Sequence, residues 1–427
     1  MELGLISVDK WTVQAQAYFL THLHADHTNG LSAKWAKGPL YCSPITAKLI
    51  PLKIPGLNRL LIRVLETGKT YSLELVSSRP GPKVLVQVTS IDAHHCHGAV
   101  MFLFRGEFGC ELHTGDFRWE TTNDKEIPGK EMLLEALKGD KVDILYLDNT
   151  YCNPSFSFPP RHVAAQQVID VISSYPERDI VIGIDSLGKE DLLLRISEVL
   201  KTKIWVWPAR LQMMHLLGFE ESFTAQTCLT RVRAVPRNSL TVGMLQALNT
   251  VRPTIGIVPS GLPWGLKAIK KQFSSLGCIP PSSPVNSSQM DETTSSVTRV
   301  HQYIYKVPYS LHSCFSEIQE FIKLVQPSIM MGNLSSSFCY VNPNHFFGYM
   351  CRDIDASAHC KYLKPECIAE GKVVYGESTV ECAQFNTVMI NRVRATKLSR
   401  LRMRISWVNK MRRKRRGAKL EYVESFG

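Results

Sequence analysis

Up to about residue 150 the apolar residues come in short runs separated by turn residues: Gln16–Leu20 (QAYFL), Lys83–Val88 (KVLVQV), Ala99–Phe104 (AVMFLF) and Asp143–Leu147 (DILYL). Short aliphatic and aromatic runs of this kind predict strands, several of them covered on both faces. Beyond about residue 160 the pattern changes. Arg161–Ser174 has helical spacing, Asp179–Ile184 (DIVIGI) is a buried strand, and Lys189–Leu200 is helical again. That alternation predicts a parallel α/β lobe. Next comes Ile279–Ser296 (IPPSSPVNSSQMDETTSS), too polar to bury a core, which predicts a disordered loop. Ordered pattern returns at His301–Ser310 (HQYIYKVPYS), with a helix predicted over Ser316–Val325 and a short strand over Ser328–Met331.

A chain of 427 residues exceeds what one ordinary core accommodates, so two lobes or domains are expected. No apolar run approaches the roughly 18 residues that span a bilayer, so no membrane role is expected. The opening MELGLISVDKW has no basic stretch followed by an apolar core and does not read as a signal peptide. The 12 cysteines are scattered from Cys42 to Cys382 with no CxxC pair, which favours a reducing intracellular compartment over a disulfide framework.

The formal charge of +12 belongs to one segment. Thirteen of the 50 Lys and Arg residues lie between Arg392 and Leu420, where there is no acid, and the remaining 37 face 38 acidic residues. The densest part is Arg412, Arg413, Lys414, Arg415 and Arg416. A run like this binds polyanions, directs nuclear import, or is simply a solvated tail.

Candidate chemistry concentrates in Thr21–His27, THLHADH. It follows the strand-like AYFL, and in extended chain His22 and His24 face the same side, as chelation of one ion requires. Asp26 and His27 lie past the bend, within reach of a second ion. Imidazole with carboxylate favours zinc or a similar divalent ion and leaves positions open. Further donors also follow predicted strands: His95 within DAHHCHG, Asp116 within HTGDFR, Asp148 after DILYL, and His312 after PYSL.

These motifs, in this order and with YLDNTYCNP and SLGKED between them, resemble the metallo-β-lactamase-fold nucleases that carry a β-CASP insertion. Within them the chain is most similar to the DNA cross-link repair branch, in particular its Apollo type in plant form. The resemblance covers about residues 1–340. It implies an α/β fold in which a four-layer αββα metallo-β-lactamase sandwich (1–155 and 300–345) carries an inserted α/β β-CASP lobe (156–299, with a disordered loop at about 276–298). Residues 346–427 form a basic C-terminal extension outside the resemblance.

By the same resemblance His22, His24 and His95 hold one metal, Asp116 bridges, and Asp26, His27 and His312 complete a second site. Asp148 is the acidic residue beside the metals, and Asp9 an early structural aspartate. Asp26, Asp116 and Asp148 are the catalytic carboxylates, and Ser186 with Lys189 forms a phosphate-binding turn. The implied cofactor is zinc, as one or two divalent ions. The implied activity is 5′→3′ exonucleolytic hydrolysis of DNA with 5′-phosphate ends, single-stranded or overhanging. Its implied setting is the nucleus, in interstrand cross-link or double-strand break repair or telomere-end processing, with repair or telomere proteins as partners. RNA-processing relatives carry a further His beyond the position of His312, and Ser313–Asn344 contains none, which favours DNA. Two positions depart from the family: His97 replaces the proline of HCPG, and Leu311 replaces the acid of PYS[DE]HS. With the basic tail, these departures keep open a catalytically weakened DNA-end binding scaffold; an RNA-directed β-CASP nuclease is the other alternative.

Overall fold

The strand-like runs of the first 150 residues fold into two facing sheets. In a computed structural model of the chain, the described residues are 5–76, 83–120, 128–261, 296–334 and 341–351. Arg412, Arg413, Lys414, Arg415 and Arg416 lie outside them, as does most of the expected loop at 276–298.

One sheet holds four short parallel strands in chain order, Ile6–Val8, Ala17–Phe19, Leu40–Cys42 and Ile62–Val64. The other has six strands. Thr70–Val76, Lys83–Asp92, Val100–Gly106 and Gly109–His113 form an antiparallel meander, to which Ile144–Leu147 and then Ile329–Gly332 add in parallel. Side chains alternate across a strand with period two, so each sheet has an inner and an outer apolar face. The inner faces meet through Phe19, whose ring centroid lies 5.2 Å from that of Phe102 and 4.9 Å from that of Phe104. Ala17, Val86 and Val88 join the same cluster.

Outside the four-stranded sheet, helix Pro44–Lys53 packs Leu49 and Ile50 onto Tyr18, Leu20 and Leu40. Its start is capped by Ser43, whose hydroxyl accepts from Thr46 N, with proline in the first turn. Outside the six-stranded sheet, helices Pro128–Leu137 and Phe315–Val325 set Leu133, Leu137, Ile318 and Phe321 against Leu103, Leu112 and Leu145. The layers therefore run helix, sheet, sheet, helix.

The alternating region folds into a seven-stranded sheet whose central strands are Val232–Pro236, Asp179–Ile184 and Thr254–Pro259. Helices Arg161–Ser173 and Glu190–Leu200 cover one face, and Val242–Asn249 packs on the other. Full burial of every residue of Asp179–Ile184 explains its unbroken apolar pattern. The sheet extends further than expected. Ile304–Val307 lies parallel beside Thr254–Pro259, and Thr298–His301 pairs antiparallel to it. A boundary at 299/300 would cut this sheet, so the chain leaves the inserted lobe only after Val307, and Thr298 is already strand. Parallel pairing on a buried neighbour outweighed the return of ordered pattern as the guide to the boundary.

Arg118 holds both crossings between lobe and core. Fully buried, it donates from Nη1 to Ser310 O at 2.9 Å and from Nη2 to Pro159 O at 3.3 Å, while its Nε lies 3.0 Å from Glu317 Oε2. Pro159 precedes the lobe's first helix and Ser310 follows its last strand.

Candidate metal centre

Strand Ala17–Phe19 is wholly buried, so the chain emerging from it enters the protein's interior and not solvent. His22 is fully buried there, and a second buried loop brings His95 beside it. His24 Nδ1 lies 3.0 Å from His22 Nε2 and 3.0 Å from His95 Nε2. Asp116 Oδ2 stands 3.5 Å from His22 Nε2 and 3.6 Å from His95 Nε2.

The outer ring atoms fix where the protons are. His24 Nε2 donates to Leu187 O at 3.0 Å, and His95 Nδ1 donates to Leu311 O at 2.8 Å; a carbonyl only accepts. The Thr21 hydroxyl donates to Asp9 Oδ2 at 2.6 Å and so accepts from His22 Nδ1 at 3.0 Å. Burial, reinforced by His22, pushes His24 down to about 4, and burial, reinforced by His312, holds His95 well below its ordinary value, so both rings are neutral. Three imidazole lone pairs therefore point at one place, with a carboxylate oxygen opposite. Lone pairs at 3.0 Å repel unless a cation lies among them. Tetrahedral zinc, with bonds of about 2.0–2.1 Å, spaces its nitrogens by about 3.3 Å. The donor set fits a divalent metal ion.

Asp116 is also shared by two further groups. Asp26 and His27 gather with it on one side, and Asp148 and His312 on the other. His27 Nε2 lies 3.2 Å from Asp116 Oδ1 and 3.9 Å from Asp26 Oδ2, while its Nδ1 donates to Asp9 Oδ2 at 2.7 Å. Burial alone would lower His27, but Asp9 and Asp116 outweigh it and hold the ring up to about 11. His312 was expected beside Asp26 and His27. Its Nδ1 donates to Asp148 Oδ2 at 2.8 Å, with Asp116 Oδ2 at 4.0 Å, an arrangement compatible with Nε2 facing the centre. Although burial opposes it, Asp148 followed by Asp116 raises His312 to about 9. Burial likewise penalises the Asp116 carboxylate, yet His312, His22 and His27 hold it well below the usual range. The centre thus demands positive charge around one carboxylate.

Backbone strain marks the same place. Six non-glycine residues among those described have positive φ. Lys138, Lys201 and Gln326 end helices, whereas Asp9, His94 and Lys189 surround the cluster. Gly115, at φ +54, admits no side chain, because a Cβ there would meet Thr21 Cβ at 2.8 Å.

Lys189 is buried and ion-paired with Asp185, so its charge is already neutralised. Helix Glu190–Leu200 begins with two acids, whose charge at the helix start disfavours a bound anion, and Glu190 Oε1 accepts from Gly188 N at 2.9 Å. At the Ser186 side chain the cation is Lys53, whose Nζ donates to Ser186 Oγ at 3.2 Å, while Arg210 holds the Ser186 carbonyl. Nothing in the sequence singled Lys53 out beyond a basic residue at a helix end.

Both departures from the family lie on the seam beside this turn. The Leu311 side chain is buried against Gly188, where an added Cβ would stand 2.5 Å from Leu311 Cδ1, and only its backbone carbonyl serves His95. His97 faces Glu190 and Asp191, each at 3.7 Å, with its ring against Phe219.

Residues 220–337 match the family model described as DNA repair metallo-beta-lactamase. Over 364 residues the chain is 37% identical to 5′ exonuclease Apollo of Gallus gallus, an alignment covering 84% of this chain and 68% of that one. It is 37% identical over 326 residues to 5′ exonuclease Apollo of Mus musculus, covering 75% of this chain and 52% of the relative. DNA cross-link repair protein SNM1 of Arabidopsis thaliana is 34% identical over 321 residues, with 73% and 59% covered. The chain thus spans about two thirds of the chicken protein and little more than half of the other two.

Proposed function

Because this chain belongs to the DNA repair metallo-β-lactamase family, we propose that it is a metal-dependent 5′→3′ DNA exonuclease acting on 5′-phosphorylated ends. The observation that carries this reading is the convergence of three inward lone pairs from His22, His24 and His95 on one side of Asp116. Zinc is the ion that suits those donors best.

An ion held there would lower the pKa of a bound water from about 15.7 towards ~7 and offset the negative charge that builds on a phosphoryl group. The chain's own residues do the rest. Asp116, kept ionised by the imidazoles around it, supplies the negative charge that would hold an ion beside the three histidines. Asp26, its side chain 75% exposed, is the carboxylate that substrate reaches first. Asp148 holds His312 by Nδ1, which leaves Nε2 as the ring atom able to face an ion or a leaving oxygen. Ser186 and Lys53 are the groups available to register a terminal phosphate, with Lys189 committed to Asp185. Arg412–Arg416 would add sequence-independent attraction to DNA and direct the protein to the nucleus, for repair of cross-links or breaks or for telomere-end processing.

The test uses the full-length chain with uniformly labelled single-stranded DNA and RNA of one sequence, carrying 5′-phosphate or 5′-hydroxyl ends. Release of 5′-mononucleotides from DNA is expected, slower from hydroxyl ends and lost in Asp116→Asn and His22→Ala. Activity on RNA alone would overturn the reading. So would DNA-end binding without cleavage, the result a scaffold would give.

A further inference from the structure

One metal donor of the core is oriented by the inserted lobe. His24 Nε2 donates to Leu187 O, 163 residues away, in the turn that leaves the central strand Asp179–Ile184. That donation fixes the His24 tautomer and turns Nδ1 towards His22 and His95. The turn has no regular secondary structure to set its carbonyls. Gly188 and Lys189 both have positive φ, +88 and +63, a conformation that a lysine rarely adopts and that its surroundings must hold in place.

A single buried guanidinium compensates. Arg210, from helix Pro208–Leu217, donates by Nη1 to Ser186 O, and by Nη2 to Gly188 O at 3.0 Å and Glu190 Oε1 at 2.7 Å. The same Glu190 oxygen accepts from Gly188 N. The carbonyls on both sides of Leu187 are therefore gripped by one rigid, planar fork, and the carbonyl between them faces His24. Only arginine presents that fork, since lysine is a single point donor. Arg210 is 1% exposed and Glu190 likewise 1%, so the pair is shielded from solvent.

We propose that Arg210 is a positioning residue for the metal centre: by holding Ser186 O and Gly188 O it aims the Leu187 carbonyl at His24, and so sets how tightly the centre holds its ion. The inference rests on the reading of His22, His24, His95 and Asp116 as a metal site. It makes metal occupancy and seating of the inserted lobe reciprocal, each favouring the other.

The experiment strips the full-length chain of metal and titrates it with Co(II) and Zn(II) against a chromophoric chelator. Wild type is compared with Arg210→Lys, Arg210→Met and the milder Glu190→Gln. Removing a partner that orients a metal-bound histidine weakens affinity by about 10–100-fold. About 10-fold is expected for Arg210→Met, less for the lysine, and several-fold for Glu190→Gln, with a shifted visible band in the Co(II) forms. Leu245→Ala is the control, a fully buried leucine of the same lobe in the cluster on the sheet's other face. It should leave affinity within about twofold. Wild-type affinity and spectrum in the Arg210 and Glu190 variants would overturn the proposal, as would equal weakening by Leu245→Ala. A wild-type chain that takes up no Co(II) would instead remove the metal-site reading, and this proposal with it.

Discussion

Replacing Arg118 by methionine tests how the two lobes are held. The guanidinium spans the chain's entry into the inserted lobe at Pro159 and its exit at Ser310, with Glu317 as its ionic partner. Arg118→Met leaves two buried carbonyls without this donor and one buried carboxylate without its cation. Breaking one side of a buried ion pair costs about 3–5 kcal/mol. Burial already raises Glu317 above the ordinary carboxyl range despite Arg118, so without the arginine it takes up a proton easily. That relief places the expected loss near the lower end, about 3 kcal/mol. For a chain of 427 residues, at about 2.1 cal/mol/K of unfolding entropy per residue, that is a fall in Tm of roughly 3–4 °C.

Glu317→Gln alone should cost less, about 1–2 kcal/mol, because the amide oxygen can still accept from Cys314 N and Arg118 keeps Glu120 at 3.6 Å. In the double variant the unpaired carboxylate is gone. The loss should therefore fall short of the sum of the singles by at least about 1 kcal/mol, as is usual for contacting residues. The assay is chemical denaturation of all four proteins, followed by a double-mutant cycle. Strict additivity, or a loss below 1 kcal/mol for Arg118→Met, would refute the assignment of Arg118 as the staple between the two crossings.

Three shorter predictions follow from the centre itself. A chelator should lower the Tm, since ion binding at 1,000 times Kd contributes about 4 kcal/mol; an unchanged melting curve with and without added Zn(II) would count against a metal site. Gly115→Ala forces a methyl to 2.8 Å from Thr21 Cβ at a left-handed φ, so a loss of more than about 2 kcal/mol and weaker metal uptake are expected by denaturation and Co(II) titration. Leu311→Asp buries a carboxylate against Gly188 and near Glu190 and should cost about 2–4 kcal/mol without raising activity. A gain in nuclease rate or metal stoichiometry in that variant would show that the side chain at 311 reaches the ions.

The donors of the centre were legible because their chemistry is local. THLHADH leaves a buried strand, and a strand's period of two alone sets His22 and His24 on one side. Asp179–Ile184 and Phe315–Val325 were equally legible, since an unbroken apolar run and helical spacing are properties of the segment itself. What could not be read depends on partners distant in sequence. Thr298–His301 and Ile304–Val307 look like the start of the returning core, and only the pairing of Ile304–Val307 with Thr254–Pro259, and of Thr298–His301 with Ile304–Val307, assigns them to the inserted lobe. Lys189 reads as a phosphate ligand, and its burial and ion pair with Asp185 are properties of the folded turn that the sequence does not display. The deepest limit lies in the backbone. Two of the three atoms that fix the histidine tautomers are carbonyl oxygens, of Leu187 and Leu311, and any residue type supplies the same oxygen. Leu311 therefore reads as the loss of an acid, although its backbone performs the orienting task. Arg210 reads as one basic residue among 50, although its burial beneath the turn lets a single side chain govern a metal donor in the other lobe.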